Sequence, residues 1–331
     1  MKAIVCTKYG SPDVLQFKEV DKPIPRDDEA LVKVYASSIN AADVEMLRGK
    51  SGTRFSGPFR PLHKIPGSDL AGRIVAVGAG VTQFQPGDEV WGDLSYPNNY
   101  GTFAEYVCVP ESALRKKPEN MTFEEAAAIP SAAVVALQNL RGKRPVHPGQ
   151  NVLINGAGGG VGTFAVQLAK SFGANVTGVD SLKKLGLIRS IGADHVIDYT
   201  REDFTAPLDA QNPRLYDLIL DVVVGRSAFA YKRALRPNGI CVMVGGSMIR
   251  VFSSAALGPL IMMRERKRIG IVMWRPNDKT DLDNLSGLFK AGKVVPVIDE
   301  CYELQEVPEA LRYLEDGNAL GKLVIKVAHD T

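Results

Sequence analysis

The sequence contains few residues of the kinds that build disulfide frameworks or metal centres. It has four cysteines and four histidines in 331 residues. The cysteines lie far apart and form no Cys-x-x-Cys pair, which argues against a disulfide framework and against a structural zinc site. The histidines show no spacing typical of metal ligands. These residues are Cys6, Cys108, Cys241 and Cys301, with His63, His147, His195 and His329.

Long apolar runs and blocks of like charge are also missing. No apolar run approaches the roughly 18 residues that would span a bilayer. The opening MKAIVCTKYG lacks the apolar core of a secretion signal and is typical of a first strand. We therefore expect an intracellular protein of the cytoplasm. The net charge is only +3, and charged residues of both signs are interspersed along the chain, which predicts no nucleic-acid partner. The densest charged stretch, Arg264 to Arg268, is interpreted as a solvated helix end, with contact to phosphate or nucleic acid as the alternative.

What the sequence does contain is a glycine cluster between a strand pattern and a helix pattern. The run Val152 to Ile154 is typical of a strand buried on both faces of a parallel sheet. From Val161 onward, apolar residues recur with helical spacing. Glycines recur at every third position, 156, 159 and 162, which favours a tight turn and a close approach of backbone to a pyrophosphate. A helix beginning there would direct N–H groups at the phosphates.

The residues after this helix pattern complete a strand–helix–strand unit. A second strand, Asn175 to Val179, leads directly into Asp180, about twenty residues past the glycines, where an acid would meet the adenosine ribose. The alternative is a glycine-rich turn that binds nothing. Val223 and Gly245, which lie at the ends of two later predicted strands, are also predicted to contact the cofactor. The candidate turn residues are Gly156, Gly158, Gly159, Gly160, Val161 and Gly162.

The chain divides into three stretches with different patterns of predicted secondary structure. Residues 1–124 alternate short strand-rich runs with Gly, Pro and Asp turns, typical of a compact, mostly antiparallel barrel-like domain. Residues 125–265 alternate strand and helix patterns, which predicts a doubly wound parallel sheet and a dinucleotide-binding domain. Residues 266–331 become strand-rich again, which predicts a return of the chain to the first domain. We therefore predict an α/β fold in which the second domain is inserted into the first.

A series of phrases in a fixed order carries a family resemblance. They are SSINAADVEMLRG, IPGSDLAGRIVAVG, FQPGDEVWG, GTFAEYV, EEAAAIPSAAVVALQNL, NGAGGGVG and GADHVIDY. With them the chain resembles the medium-chain dehydrogenase/reductase superfamily over nearly its whole length, and within it the zinc-free quinone oxidoreductase branch. The resemblance implies a GroES-like β-barrel domain with an inserted Rossmann domain and a homodimer. It also implies a nicotinamide ring in the cleft between the domains, facing the segment from Asn40 to Glu45.

The residues at the zinc positions of related alcohol dehydrogenases argue against a metal. Asn40 stands where those enzymes have their first cysteine, and Ser68-Asp69 replaces their His-Glu pair. Asn and Ser do not supply the thiolate or imidazole ligands that zinc prefers. Without a Lewis acid the favoured acceptors are conjugated, since conjugation spreads the charge that arrives with the hydride. We expect reduction of a quinone or other conjugated carbonyl. The alternatives are an enoyl or 2-alkenal reductase and a low-turnover NADPH-binding sensor or structural protein.

Two residues are candidates for catalysis. Asn40 is predicted to donate from its amide to a substrate carbonyl, and Asp43 to orient it or relay a proton. The alternatives are a helix N-cap for Asn40 and a structural acid early in a helix for Asp43. Two positions depart from the family pattern: Glu45, where related quinone reductases often carry Tyr, and Val135, where relatives commonly have Thr. These departures keep the sensor alternative open.

The residues predicted near the cofactor's 2′ position do not all favour the same cofactor. Asp180 would bond the ribose hydroxyls of NADH and repel a 2′-phosphate. Ser181 and Lys183 lie beside it, and Lys184 and Tyr199 match the Lys and Tyr that bind the phosphate in the family. Charge-assisted bonds to phosphate are strong. We expect NADPH, with NADH as the alternative.

Two loops are candidates for shaping the acceptor pocket. Segment 49–66 contains three glycines and three prolines and is long enough to be functional. Within it, His63 is a candidate pocket residue. Tyr96 and Tyr100 are candidates for covering a planar acceptor, with local packing as the alternative.

Overall fold

The computed structural model describes residues 1–50, 53–95, 101–142, 145–207, 215–245, 266–271 and 274–327. Tyr96 and Tyr100, the candidate cover of the acceptor, lie outside these residues, as do Arg264 and Glu265 of the charged stretch. The chain forms two compact units. Unit 1 comprises Met1–Val134, Arg275–Lys290 and Pro296–Thr331, and unit 2 comprises Val135–Trp274 and Ala291–Val295.

Unit 1 is built on a seven-stranded, mostly antiparallel sheet with a separate two-stranded hairpin. The sheet order is β14-β15-β3-β4-β5-β7, with β6 also paired to β3, and β1 pairs with β2. Only β14 and β15 run parallel. The pairing of these described strands follows an open path and does not close into a ring. Their bounds are β1 Lys2–Val5, β2 Gln16–Glu19, β3 Glu29–Ile39, β4 Asp69–Val77, β5 Glu89–Asp93, β6 Tyr106–Pro110, β7 Leu114–Lys116, β14 Ile298–Glu303 and β15 Lys322–Lys326.

Two helices pack against this sheet: α3 (Phe123–Ala127) lies on β3 and β4, and α9 (Val307–Glu315) lies on β14 and β15. Thr122 begins α3 with a capping box: its hydroxyl accepts from the Glu125 amide at 3.1 Å, and the Glu125 carboxylate accepts from the Thr122 amide at 2.9 Å. In the described part of the chain, no helix has the length and apolar character required to cross a membrane. The helices are α1 Ala41–Leu47, α2 Thr53–Ser56, α3 Phe123–Ala127, α4 Pro130–Arg141, α8 Lys279–Lys290 and α9 Val307–Glu315, with α4 running from unit 1 into unit 2.

Unit 2 is built on a six-stranded parallel sheet of order β10-β9-β8-β11-β12-β13. The central strands are buried along nearly their whole length, as expected for a sheet covered by helices on both faces. The strands are β8 Asn151–Asn155, β9 Asn175–Asp180, β10 His195–Asp198, β11 Tyr216–Asp221, β12 Leu235–Met243 and β13 Arg268–Ile271. The helices are α5 Gly160–Ser171, α6 Leu185–Ser190 and α7 Ala228–Ala234.

This strand order confirms the predicted doubly wound sheet and locates its binding edge. The order reverses between β8 and β11, which are neighbours although α5, β9, α6 and β10 separate them in the chain. In such sheets ligands bind outside the carboxyl ends of the strands at the point of reversal. The turn after β8 and the turn after β11 therefore define the edge at which a dinucleotide is expected.

The limits of the compact units differ from the predicted domain limits at residues 124 and 265. Residues 125–134 belong to unit 1, since α3 packs against β3 and β4 and the Ser131 amide bonds to Asp69 at 3.0 Å. The strand-rich segment after residue 265 does not belong to unit 1 from its beginning. Instead β13 extends the parallel sheet, with Ile269 opposite Cys241 of β12, and unit 1 resumes at Arg275.

Candidate functional site

The glycine cluster forms the turn that leads from β8 into α5. The amides of Gly156 and Ala157 both donate to the carbonyl of Val179 in β9, at 2.9 and 3.1 Å, and tie the turn to the neighbouring strand. Gly156 has a φ of +82°, which favours glycine, and a Cβ there would lie 2.5 Å from Val222 Cγ2. A side chain at Gly156 would therefore disturb both the turn and the segment after β11.

Gly162 allows α5 to pack closely on the turn. A Cβ on Gly162 would lie 2.0 Å from the Gly156 carbonyl oxygen, which leaves room for hydrogen only. The amides of Gly160, Val161 and Gly162 form the first turn of α5, where no carbonyl four residues earlier lies within the helix. They also stand at the positive end of the helix dipole. This arrangement fits the pyrophosphate of a dinucleotide, and it brings together the glycines predicted for that role.

Asp180 turns its carboxylate towards the backbone of the glycine turn. Its Oδ2 accepts from the Gly158 amide at 2.9 Å, and its Oδ1 accepts from the Ser181 amide at 2.8 Å. The Lys184 side chain packs over Gly158, since a Cβ there would lie 2.7 Å from Lys184 Cβ. Tyr199, half exposed, donates its amide to the Asp180 carbonyl at 3.2 Å. The four residues predicted for the adenosine end thus lie together, with Asp180 also supporting the turn.

A second acid, missed in the sequence analysis, organises the segment after β11. The buried Asp221 accepts at Oδ1 from Asn155 Nδ2 at 2.9 Å and from the amides of Val223 and Val224 at 2.9 and 2.8 Å. Its Oδ2 accepts from the Tyr231 hydroxyl, and burial together with this carboxylate raises the pKa of Tyr231. Val224 is buried with a φ of 54°, an unfavourable conformation for a β-branched residue. Asp221 therefore holds a strained turn beside the glycine cluster.

The two remaining predicted cofactor residues lie at the same edge of the sheet. Val223 is the second residue after the end of β11, and it is 56% exposed. Gly245 follows β12, has a φ of +68°, and has no atom within 4 Å of the position a Cβ would take. Asp221 and Met243 are register partners, so both residues extend beyond the carboxyl ends of neighbouring strands.

In unit 1, Asn40 is held by three contacts at the start of α1. Asn40 is the N-cap residue of α1, and its backbone N–H donates to Asp43 Oδ2 at 2.8 Å. Its Nδ2 donates to Asp69 Oδ2 at 2.9 Å, and its Oδ1 accepts from Lys322 Nζ at 2.7 Å. These partners fix which way the amide faces, because a lysine donates only and a carboxylate accepts only. The second hydrogen on Nδ2 takes no part in these bonds.

Asp69 is the centre of the polar cluster around Asn40. Besides Asn40, its Oδ2 accepts from Ser38 Oγ at 2.6 Å and lies 3.4 Å from Lys322 Nζ, while its Oδ1 accepts from the Ser131 amide at 3.0 Å. Asp69 and Lys322 are both almost completely buried. Removing one partner of a buried ion pair leaves an uncompensated charge, so the two side chains depend on each other.

Two further buried acids adjoin this cluster, and sequence reasoning identified only one of them. Burial raises the pKa of Asp43 to about 7, and the charge of Asp69 adds to the rise. Burial also raises the pKa of Asp93 to about 7, again with a contribution from Asp69, its register partner across β4 and β5. Within the described residues, Asp43 Oδ1 and Asp93 Oδ2 have no hydrogen-bond partner.

Part of the segment 49–66 borders a cavity within unit 1. The cavity has a volume of about 360 Å³ and is lined by Cys6, Thr7 and described residues of the segment, including Phe59 and Leu62. His63, the candidate pocket residue, does not line this cavity, although its chain neighbours Leu62 and Lys64 do.

Comparisons with known proteins place these observations in context. The family description "Alcohol dehydrogenase GroES-like domain" matches residues 26–119, and "Zinc-binding dehydrogenase" matches residues 191–325. The 2-methylene-furan-3-one reductase of Solanum lycopersicum is 37% identical over 98% of this chain and 79% of its own length. The mitochondrial NAD(P)H oxidoreductase RTN4IP1 of Danio rerio is 33% identical over 100% of this chain and 92% of its own. The structure of a quinone oxidoreductase from Coxiella burnetii has a TM-score of 0.87 at 29% identity, covering 99% of both chains.

Zinc, which one of these family descriptions names, does not fit the residues around Asn40. The side chains at the relevant positions are the amide of Asn40, the hydroxyl of Ser68 and the carboxylate of Asp69, without a thiolate or an imidazole. The amide is already engaged with Asp69 and Lys322. Over the described ranges, no group of three or more His, Cys, Asp or Glu residues could hold a metal ion.

We predict that Gly162→Ala weakens both the fold of unit 2 and dinucleotide binding. The added methyl would overlap the Gly156 carbonyl, and relieving such overpacking costs about 1–3 kcal/mol. Urea unfolding and titration with NADPH measure the two effects. Gly186→Ala is the matched control, because a Cβ there meets nothing within 4 Å and Ala favours a helix by about 0.5–1 kcal/mol. Equal stability and affinity in Gly162→Ala and the wild type would contradict this account of the turn.

Proposed function

The chain belongs to the zinc-free quinone oxidoreductase branch of the medium-chain dehydrogenase/reductase superfamily, and from this premise we propose that it reduces a quinone or another conjugated carbonyl compound with NADPH. The observation that carries the proposal is the glycine turn at the reversal point of the unit 2 sheet, where the first turn of α5 presents its amides. A reduced nicotinamide, when bound, supplies the hydride.

Different residues of unit 2 bind different parts of the cofactor. The amides of Gly160, Val161 and Gly162 bind the pyrophosphate. Asp221 contributes indirectly, because it holds the backbone of Val223 at the edge of the sheet beside the turn. In this proposal Val223 and Gly245 border the nicotinamide half of the cofactor, and the residues around Asp180 border the adenosine half.

The proposed preference for NADPH is supported by the hydrogen bonds that Asp180 already makes. Both of its carboxylate oxygens already accept backbone N–H groups, at Gly158 and Ser181, and these bonds offset part of its negative charge. Lys184 provides a cation over the same turn, and the exposed Tyr199 provides a hydroxyl. A 2′-phosphate would be bound by these two groups through charge-assisted hydrogen bonds. NADH remains the alternative, since Asp180 keeps lone pairs for ribose hydroxyls.

In unit 1, Asn40 provides the group that polarises the acceptor. Its second Nδ2 hydrogen donates to the acceptor's carbonyl oxygen, where negative charge develops as the hydride arrives. Asp69 and Lys322 prevent the amide from rotating, so the donor is set in place before the acceptor binds. Asp43 fixes the backbone of Asn40 and is thereby a positioning residue.

Two alternatives are retained. A reductase of enoyl or 2-alkenal substrates would use the same donor, and the name of the tomato relative, a 2-methylene-furan-3-one reductase, favours an enone. A low-turnover NADPH-binding sensor is favoured by Glu45 and Val135, which depart from the residues commonly found in relatives. We also propose that the protein is a cytoplasmic homodimer that binds a small-molecule substrate and no nucleic acid. The Danio rerio relative, by contrast, is named as a mitochondrial protein.

We predict that Asn40→Ala lowers kcat/KM with quinone and enone acceptors by about a hundredfold to a thousandfold, the order expected for one oxyanion donor. Stopped-flow oxidation of NADPH with a panel of quinones, enones and alkenals measures the rates. Asn318→Ala, an exposed asparagine of unit 1, is the control and should behave as the wild type. Tight NADPH binding without reduction of any acceptor would exclude the enzyme and favour the sensor.

We predict that Asp180→Ser raises the affinity for NADPH relative to NADH by about fivefold to tenfold. Removing a carboxylate about 4 Å from a phosphate is worth about 1 kcal/mol even at the dielectric constant of water, which corresponds to about fivefold in affinity. Nicotinamide fluorescence titrations with both cofactors give the ratio. Asp217→Ser, at the amino end of β11 and so at the opposite edge of the sheet, should leave the ratio unchanged. An unchanged ratio in Asp180→Ser would mean that Asp180 acts only on the glycine turn.

A further inference from the structure

The ammonium group of Lys322 is buried against three oxygen atoms. Its Nζ donates to Asn40 Oδ1 at 2.7 Å and to the Ile39 carbonyl at 3.1 Å, and it lies 3.4 Å from Asp69 Oδ2. An ammonium group has three hydrogens to donate, so these three acceptors use all of them. Bonds between an ammonium and a carboxylate are ordinarily about 2.7–2.9 Å long. Here the contact of that length is made with the amide oxygen of Asn40, and the carboxylate is the most distant of the three partners.

The strand that carries Lys322 brings it level with Asn40. Leu323 of β15 pairs with Ile39 of β3 in an antiparallel register, so the residue before Leu323 lies beside the residue after Ile39. The backbone amide of Lys322 donates to the Val297 carbonyl at 2.8 Å. The ammonium group is therefore set against the Asn40 amide by the pairing of the sheet itself.

Of these side chains, only that of Asn40 is accessible to a substrate. Asn40 is partly exposed, whereas Asp69 and Lys322 are 0% and 1% exposed. The positive charge of Lys322 can therefore reach an acceptor only through the amide. Resonance joins the oxygen and the nitrogen of an amide, so a cation at Oδ1 draws electron density from Nδ2 and makes its N–H groups stronger donors. Hydrogen bonds connected in this way strengthen one another.

We propose that Lys322, beyond fixing which way the Asn40 amide faces, polarises that amide and strengthens the hydrogen bond that it gives to the acceptor's carbonyl oxygen. This inference rests on the proposed function. Lys322 is then a positioning residue that acts through Asn40 and does not touch the acceptor. Its charge also offsets that of Asp69, which would otherwise oppose the negative charge that develops on the acceptor's oxygen. Because that charge grows as the hydride arrives, Lys322 stabilises the transition state more than the bound acceptor.

Lys322→Met tests this in the full-length protein. Methionine is unbranched like lysine and carries neither the charge nor the N–H donors. A unit charge about 7 Å from the acceptor's oxygen, at an effective dielectric constant of about 20, predicts that kcat falls by about tenfold to a hundredfold, with a smaller change in KM. Lys322→Arg keeps the charge and should lose less activity. Lys326→Gln, which changes an exposed lysine of the same strand, is the control and should behave as the wild type.

The dependence of the rate on the acceptor's own substituents separates polarisation from a disturbed fold. In a series of aryl enones with different para substituents, electron-withdrawing groups should accelerate Lys322→Met more than the wild type, because the variant stabilises less of the developing charge. A disturbed fold would instead slow every member of the series by the same factor. The same substituent dependence in Lys322→Met and the wild type would overturn the proposal.

A second measurement uses the wild type and needs neither an acceptor nor a folded Lys322 variant. Asn155 is the matched comparison, because its Nδ2 also donates to a carboxylate at 2.9 Å, that of Asp221, while among the described residues no lysine bonds to its oxygen. In NMR spectra of isotope-labelled protein, the Cγ and Nδ2 resonances of Asn40 should lie downfield of those of Asn155, as expected for an amide polarised at its oxygen.

The NMR result also separates this proposal from the proposed function. Asn40 resonances at the same positions as those of Asn155 would overturn the polarisation. Downfield Asn40 resonances in a wild type that reduces no acceptor would support the polarisation and contradict the proposed function.

Discussion

The candidate acceptor site depends on one buried carboxylate, that of Asp69. Its two oxygens accept from Ser38 on β3, Asn40 at the start of α1 and the Ser131 amide of α4, and Lys322 of β15 lies beside them. Three separate stretches of the chain, residues 38–40, Ser131 and Lys322, are thus fixed to a single group on β4. Because a buried carboxylate is tolerated only when its partners are in place, the same contacts that stabilise Asp69 also set the orientation of the Asn40 amide.

The dinucleotide site of unit 2 depends on steric constraints and not on a single buried charge. A methyl group at Gly162 would lie 2.0 Å from a backbone oxygen. Acids support this backbone from two sides: Asp180 accepts from Gly158, and Asp221 accepts from Val223 and Val224. The cofactor site therefore uses carboxylates to shape backbone, whereas the acceptor site uses one to orient a side chain.

These differences explain which features could be predicted from the sequence. The glycine turn and Asp180 were predictable because strand, turn, helix and second strand follow one another within thirty residues and obey local rules. Asp221 offered a weaker local signal, an acid directly after the apolar run of β11. Lys322 lies 282 positions from Asn40, and Asp93 meets Asp69 only through strand register, so neither contact has a signature in sequence spacing. Likewise β13 was assigned to the wrong sheet, since a short edge strand has the same pattern in either.

In the proposed reaction, hydride passes directly from the nicotinamide to a conjugated acceptor. This transfer is tested by the reduction of an enone with NADPH that carries deuterium at the transferring C4 position, followed by mass spectrometry and NMR of the product. The product should carry one deuterium atom per molecule, bound at the β-carbon, with a proton from water at the α-carbon. Product that contains no deuterium, with the label found in the solvent, would contradict it.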